Sequence, residues 1–444
     1  MSHGGPAEHI TPYDRMGLDE TTLIALLAAP VPHEGLMEYF GVKLHAELVA
    51  LARATQHPAP QPRRRVYLLP GIMGSQLGFA RDENRPNDIL WLDPIDFNFG
   101  RLTELKLPGS PHLRALGAMS YTYLKLTLSL RKAGFDAVLV EYDWRHDVAS
   151  LGRKLAQRIA ADGCEDVALV GHSMGGLVAR AAMTQTAGKQ VSSLVMLGTP
   201  NSGSLAAVQA LRGTYSVVRK LAMLDLKHEA EFLASEVFSS FPGLHELLPS
   251  SERAGNLDLF TPGAWPAQGP GPDPKLLGAA RGLAQRLAPA DARFHAVVGC
   301  NRITATRVSL RDGDFEYEYS LRGDGTVPMD LACMDGARNR YVDCGHSDMP
   351  LSDRVIAGTI DLLETGKSRR FTTSPRIRHN ARTRVRDAEL RREYQGKVDW
   401  PQMSPEERRL FLDTLNEPPH RMRVRAGRAA KKKTRTRRRP ARGK

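Results

Sequence analysis

Residues 167–185 read Val167-Ala168-Leu169-Val170-Gly171-His172-Ser173-Met174-Gly175-Gly176 and then LVARAAMTQ, joining an apolar run to a helical one across a glycine-rich turn. Four consecutive apolar residues read as a strand buried on both faces, as in parallel sheets. Gly171, Ser173 and Gly175 fit the pattern G-x-S-x-G. In it a serine sits on a strained strand-to-helix turn, and flanking glycines are required because Cβ atoms would strike the adjoining helix and strand. The bare pattern is short and also occurs as an ordinary glycine-rich turn. Its position between a strand and a helix is what makes Ser173 a candidate nucleophile.

The alternation continues on both sides. VYLLPGIM at 66–73 reads as a buried strand running into a Pro-Gly loop, 120–133 as a helix, FDAVLVEYDW at 135–144 as a strand, 148–161 as a helix and SSLVMLGTP at 192–200 as a strand. Repeated strand and helix predict an α/β fold with a mostly parallel, doubly wound sheet. Two stretches interrupt it. Residues 75–119 place Trp91, Phe97 and Phe99 among prolines and glycines, and residues 201–291 separate SSLVMLGTP from the next strand, FHAVVGC. Both are too long for plain connections and are expected to be helical cap or lid insertions over the C-terminal edge of the sheet. Residues 306–320 read as a β-hairpin turning at Asp312-Gly313, and 352–364 as a final helix.

An activated serine needs a base, and the base needs a carboxylate to orient it. In α/β hydrolases these follow in the order Ser, Asp or Glu, His, each at the C-terminal end of a strand. Asp324, in Arg322-Gly323-Asp324-Gly325-Thr326-Val327-Pro328, follows the hairpin between two glycines. His346 follows the strand-like RYVDC and precedes a helix. His295, inside FHAVV, is the other candidate base and reads as structural. Asp330 is the rival acid, while Asp312 and Asp314 read as turn residues. Acyl transfer also requires oxyanion donors. The backbone N–H of Met174 follows the nucleophile, and that of Met73 is the choice from the loop Pro70-Gly71-Ile72-Met73-Gly74-Ser75, whose alternative reading is an ordinary turn. The expected organisation is a helical extension over 1–60, a hydrolase domain over 61–366 and a basic, largely disordered tail over 367–444.

The chain has 444 residues and a net charge of +13, but the charge is unevenly placed. From Thr365 to Lys444 there are 26 Lys and Arg against 8 Asp and Glu, which leaves residues 1–364 at −5. The basicity therefore belongs to the tail and does not describe the main domain. No basic n-region precedes an apolar run at the N-terminus and no apolar stretch approaches eighteen residues, so the chain is expected to be cytoplasmic, possible attachment being peripheral. Cys164, Cys300, Cys333 and Cys344 show neither metal nor redox spacing and are expected to be reduced. No cofactor or metal is expected.

PGIMGSQL at 70–77, LWLDP at 90–94, YDWR at 142–145, GHSMGG at 171–176, GTPNSGS at 198–204, GDGTVP at 323–328 and the pair Gly345-His346 together resemble the lecithin:cholesterol acyltransferase-like family of α/β hydrolases. That family includes lysosomal phospholipase A2, and the likeness spans roughly residues 66–365. The GHSMGG motif is shared with bacterial triacylglycerol-lipase-like hydrolases more broadly. The resemblance implies a Ser173–Asp324–His346 triad, an oxyanion hole at Met73 and Met174, and a lipid acyl ester as substrate. It also implies Trp91 near the acyl-binding face and the Tyr142–Arg145 stretch along the site; with His172 these form the expected substrate-binding set. Hydrolysis and O-acyl transfer both remain open, as does an ester other than a phospholipid.

A reading from another class is a non-catalytic hydrolase fold whose basic tail binds nucleic acid. His420 to Lys444 holds no aromatic residue, so contacts there would be to phosphates and unselective. For an enzyme of lipid esters an anionic membrane surface is the more fitting partner of the tail.

Overall fold

In the computed structural model, which describes residues 10–56, 64–82, 85–250, 253, 257–378 and 382–418, six strands make one parallel sheet. They are β1 (Arg65–Leu69), β5 (Asp136–Leu139), β6 (Val167–His172), β7 (Val191–Leu197), β8 (Phe294–Cys300) and β11 (Arg338–Asp343), in the order β11-β8-β7-β6-β1-β5. The chain runs from β1 to one side for β5 and to the other for β6 and its successors. The switch point therefore falls between β1 and β6, where open α/β sheets hold their ligands.

Side chains alternate across this sheet because successive Cβ atoms point to opposite faces. Tyr67, Leu69, Leu169, Leu194 and Met196 enter one core, shared with Leu151, Leu155 and Ile159 of the helix Val148–Asp162 and with Leu177 and Val178 of the helix Met174–Ala182. Val66, Leu68, Ala168, Val170, Val195 and Leu197 enter the other, under Tyr123, Leu126 and Leu130 of the helix Ser120–Lys132 and Val355, Ile356 and Leu362 of the helix Asp353–Thr365. The N-terminal helices Glu20–Ala28, Glu34–Phe40 and Val42–Thr55 cover the outside of Ser120–Lys132, burying Leu23, Leu27, Leu36, Phe40 and Leu48 against Leu124 and Leu128. That helix is therefore apolar on two faces.

The hairpin forms as the sequence predicts: β9 (Thr304–Arg311) and β10 (Asp314–Ser320) meet at Asp312 and Gly313, whose φ values of 51° and 76° are those of a two-residue hairpin turn. The first insertion departs from expectation. It carries an antiparallel sheet of β2 (Ser75–Phe79), β3 (Asp88–Trp91) and β4 (Leu113–Ala118) as well as short helical turns. The second is helical, with Leu205–Leu211, Ser216–Leu224 and shorter turns up to His245.

The segment from 367 to 418, read as part of a largely disordered tail, carries regular structure, including a helix at the capping-box sequence Ser404-Pro405-Glu406-Glu407. β12 (Thr383–Arg386) pairs with β10, Asp387 and Trp400 are buried, and a helix capped by Ser404 runs Pro405–Asp413. Asp387 accepts from Arg212 Nε at 2.8 Å and from Thr214 Oγ1 at 3.1 Å, so a carboxylate of the C-terminal segment neutralises a cation buried in the second insertion. The basic run from His420 lies outside the described residues. The four cysteines form no disulfide, and no described helix is long and apolar enough to cross a membrane.

Candidate active site

β6 ends at His172 and the helix Met174–Ala182 begins one residue beyond Ser173, so Ser173 alone makes the reversal. Its φ of 53° and ψ of −126° are a conformation a non-glycine residue holds only when its surroundings impose it. Those surroundings are the backbone of β7, where the Leu197 carbonyl accepts the Ser173 N–H at 2.8 Å, and the packing of the turn itself. A Cβ at Gly175 would stand 2.4 Å from the Leu69 carbonyl oxygen, and one at Gly171 2.5 Å from the Gly176 Cα. The glycines of G-x-S-x-G thus let the new helix start against the end of β1.

At the same edge of the sheet, beyond β7 and β8, His346 Nδ1 lies 2.8 Å from Asp324 Oδ2. The other carboxylate oxygen accepts the N–H of Thr326 at 3.0 Å and of Val327 at 2.7 Å. The acid is thereby fixed, and both residues are buried. Gly198, at the end of β7 with φ +60°, makes room for the pair: a Cβ there would meet His346 Nδ1 at 3.0 Å and Asp324 Oδ2 at 3.1 Å. The alternatives are placed elsewhere. Asp330 is a surface residue paired with Arg322 at 3.0 Å. His295 is the second residue of β8, at the opposite edge of a parallel sheet from Ser173. Burial and then Arg338 and Arg340 lower its pKa to about 4.

The loop after β1 leans on the nucleophile, since a Cβ at Gly71 would come within 2.9 Å of Ser173 Cβ. Met73, two residues further along that loop, has a φ of 65°, a second non-glycine residue with positive φ. Met174, as the first helical residue, has no acceptor within its helix for its N–H.

The loop is held mainly by aromatic side chains. Trp91 Nε1 donates to the Met73 carbonyl at 2.9 Å, Trp144 Nε1 to that of Ser75 at 3.1 Å, and the Tyr142 hydroxyl to that of Pro70. Trp91 and Trp144 pack edge to face with centroids 5.3 Å apart. The residues of the expected substrate-binding set lie around this loop. Trp91 and Tyr142 are buried and committed to the loop backbone. Arg145 is buried too, chelated by Asp143, and its guanidinium donates to Leu105 of the first insertion at 3.0 Å while its carbonyl accepts from Gly243 of the second. It joins the two insertions.

His172 is likewise buried, between the Tyr123 hydroxyl (2.8 Å from Nδ1) and the His346 carbonyl (3.0 Å from Nε2). Burial and then the neighbouring His346 lower its pKa to about 3, so it stays neutral and is not a rival base.

Three residues near the site escape the sequence reading. Tyr123 sits on the apolar face of its helix and is indistinguishable there from core. Gly198 looks like an ordinary strand-end glycine. Asn416 comes from the C-terminal segment, and its amide donates to Ser347 Oγ, next to His346. Among the described residues no group of three or more His, Cys, Asp or Glu side chains is placed to hold a metal ion.

The family model of the PGAP1-like alpha/beta domain matches residues 152–255, a span that includes Ser173. The chain is similar to the mature form of the Bacillus licheniformis lipase BlEst2, with 15% identity over 70% of this chain and 92% of that one at a TM-score of 0.34. It is also similar to a chain of the Tle4–Tli4 complex (14%; 69% and 99%; TM-score 0.40) and to the lin2722 product of Listeria innocua (13%; 69% and 96%; TM-score 0.29). No curated protein sequence matches the chain. Sheet order and the matched domain model agree on an α/β-hydrolase fold. None of these matches names the narrower lecithin:cholesterol acyltransferase-like family.

Proposed function

We propose that this chain is a serine acyl hydrolase or O-acyltransferase of lipid esters that works through an acyl-enzyme on Ser173. The observation that carries the reading is the buried 2.8 Å hydrogen bond between His346 Nδ1 and Asp324 Oδ2, at the same sheet edge as a serine held at φ 53°. A neutral imidazole whose Nδ1–H is fixed by a carboxylate presents Nε2 as a base.

In this reading His346 takes the Ser173 hydroxyl proton as Oγ attacks the ester carbonyl. The N–H groups of Met73 and Met174 receive the charge that develops on oxygen. The tetrahedral adduct collapses, the C–O bond to the alcohol breaks, and the alcohol leaves with the proton from His346. Water then returns the acid and free Ser173, whereas a second alcohol gives a new ester. Lipid as the substrate class rests on the resemblance of the seven motifs to the lecithin:cholesterol acyltransferase-like hydrolases. For the basic run from His420 to Lys444 the partner we favour is an anionic membrane surface, where each Lys or Arg contributes on the order of 1 kcal/mol.

The test is to incubate the full chain with an acyl-labelled phospholipid, with and without a long-chain alcohol, and to identify the products. Labelled fatty acid, joined by a labelled ester when alcohol is present, is the expected result. No labelled product in either arm, with short-chain esters cleaved, would remove phospholipid as the substrate.

A further inference from the structure

Three hydrogen bonds run in series behind the site. The Gly71 N–H donates to the Tyr123 oxygen at 2.9 Å, the Tyr123 hydroxyl lies 2.8 Å from His172 Nδ1, and His172 Nε2 lies 3.0 Å from the His346 carbonyl. The two ends, together with a neutral His172, fix the direction of every bond. A carbonyl can only accept, so His172 Nε2 carries the hydrogen. An amide N–H can only donate, so the Tyr123 oxygen accepts from Gly71; and because buried His172 is neutral with its hydrogen on Nε2, its Nδ1 is unprotonated and takes the Tyr123 hydroxyl hydrogen. One tautomer satisfies all four groups, and all of them are buried or nearly so. A hydroxyl buried at this depth without a partner is destabilising, and a phenylalanine would fill the same core without that risk.

The two ends of the chain are the two loops the proposed chemistry depends on. Gly71 belongs to the loop that carries Met73, whose approach to Ser173 is set at this residue. The His346 carbonyl belongs to the loop that aims the base. From this we infer that Tyr123 is a positioning residue, which through His172 holds the oxyanion loop and the base loop in register with the nucleophile turn. The inference rests on the reading of Ser173 and His346 given above. It assigns to His172 a scaffold role in place of substrate contact.

The test compares Tyr123→Phe, His172→Gln and His172→Ala with the parent chain in turnover of a soluble p-nitrophenyl ester, in thermal melting, and in the downfield NMR resonance of the His346 Nδ1–H. Loss of loop register is expected to lower kcat about ten- to a hundredfold in Tyr123→Phe while KM stays within about twofold, because misplaced oxyanion donors act on the transition state. The downfield resonance is expected to shift or broaden although the protein melts as a folded chain. His172→Gln, which can still offer a side-chain N–H to the His346 carbonyl, should recover much of the activity lost in His172→Ala. A Tyr123→Phe protein with parental kcat and an unmoved resonance overturns the inference, as does a loss confined to KM. Should Tyr123→Phe not fold, the His172 pair decides: Gln no better than Ala overturns it. Ser173→Ala separates the two readings, since activity surviving that substitution removes the proposed function, whereas its loss alongside a silent Tyr123→Phe removes the positioning role alone.

Discussion

Asp324 holds His346 twice, through its carboxylate to the ring Nδ1 at 2.8 Å and through its own carbonyl to the His346 backbone N–H at 2.8 Å. The main-chain bond sets where the β11 loop passes over the sheet, and the side-chain bond sets which way the imidazole faces. The carboxylate is itself clamped by the amides of Thr326 and Val327, so the orientation of the base is inherited from the Gly323–Pro328 turn.

Removing the carboxylate charge while keeping its shape should therefore be severe. Asp324→Asn is expected to lower kcat by on the order of 10⁴ with the fold retained, as loss of the orienting acid does in related triads. Asp330→Asn, at an exposed ion pair with Arg322, should stay near the parent. Steady-state kinetics on a soluble ester check both. A larger effect at Asp330 would mean that the acid is misassigned.

Gly198→Ala adds one methyl group beneath the same pair, at a residue whose φ of +60° disfavours a side chain. We expect a stability loss of about 1–2 kcal/mol from the backbone conformation. Activity should fall more than stability accounts for, because the methyl reaches Nδ1 and Oδ2 directly. Urea melts beside kcat measurements would show it.

His172 gives a signed pH dependence. Its folded pKa is depressed to about 3 by burial and by His346, against 6.5 for a free histidine. Between those values the unfolded chain binds the extra proton and the folded one does not, so this residue's contribution is present above pH 6.5 and is lost as pH falls toward 3. The groups facing it are Tyr123 and His346. Denaturant midpoints measured across pH 4 to 7 should fall less steeply in His172→Gln than in the parent. Parallel curves would contradict the buried neutral assignment.

The C-terminal segment up to 418 should matter to the fold, and the remainder should not. Asp387→Ala leaves Arg212, 1% exposed, with only the more distant Asp314 carboxylate at 3.9 Å, and is expected to destabilise by on the order of 3 kcal/mol. Deleting 419–444 should leave the melting midpoint and soluble-ester turnover unchanged while weakening attachment to anionic vesicles, in a manner that added salt reproduces in the full chain. Equal vesicle binding by both proteins at low salt would end the membrane role of the tail.

What the sequence made legible was local. VALVGHS, the Asp312-Gly313 turn and the strand before His346 each declare themselves within ten residues, because period, apolar run and turn chemistry are short-range signals. The packing of residues 383–400 was masked by their own composition, whereas the capping box Ser404-Pro405-Glu406-Glu407 announces the helix that follows. The basic residues of 383–400 read as a solvated tail, and nothing near Asp387 announces that its partner, Arg212, stands 175 positions away. The β2–β3–β4 sheet was hidden for another reason, its strands being four to six residues long and bulged where β2 meets each neighbour. For Trp91, Tyr142 and Arg145 the sequence offered a place but no contacts. Motif position marked them as close to the site, but only the fold shows that their donors point at the Pro70–Ser75 backbone and at Leu105.

The central claim is that Ser173 is an activated nucleophile, and covalent labelling tests it most directly. The full chain treated with a fluorophosphonate and analysed by intact mass and peptide mapping should gain one adduct, on Ser173. Ser173→Ala should gain none and lose esterase activity. An adduct on another serine, or labelling and turnover that persist in Ser173→Ala, would contradict the account.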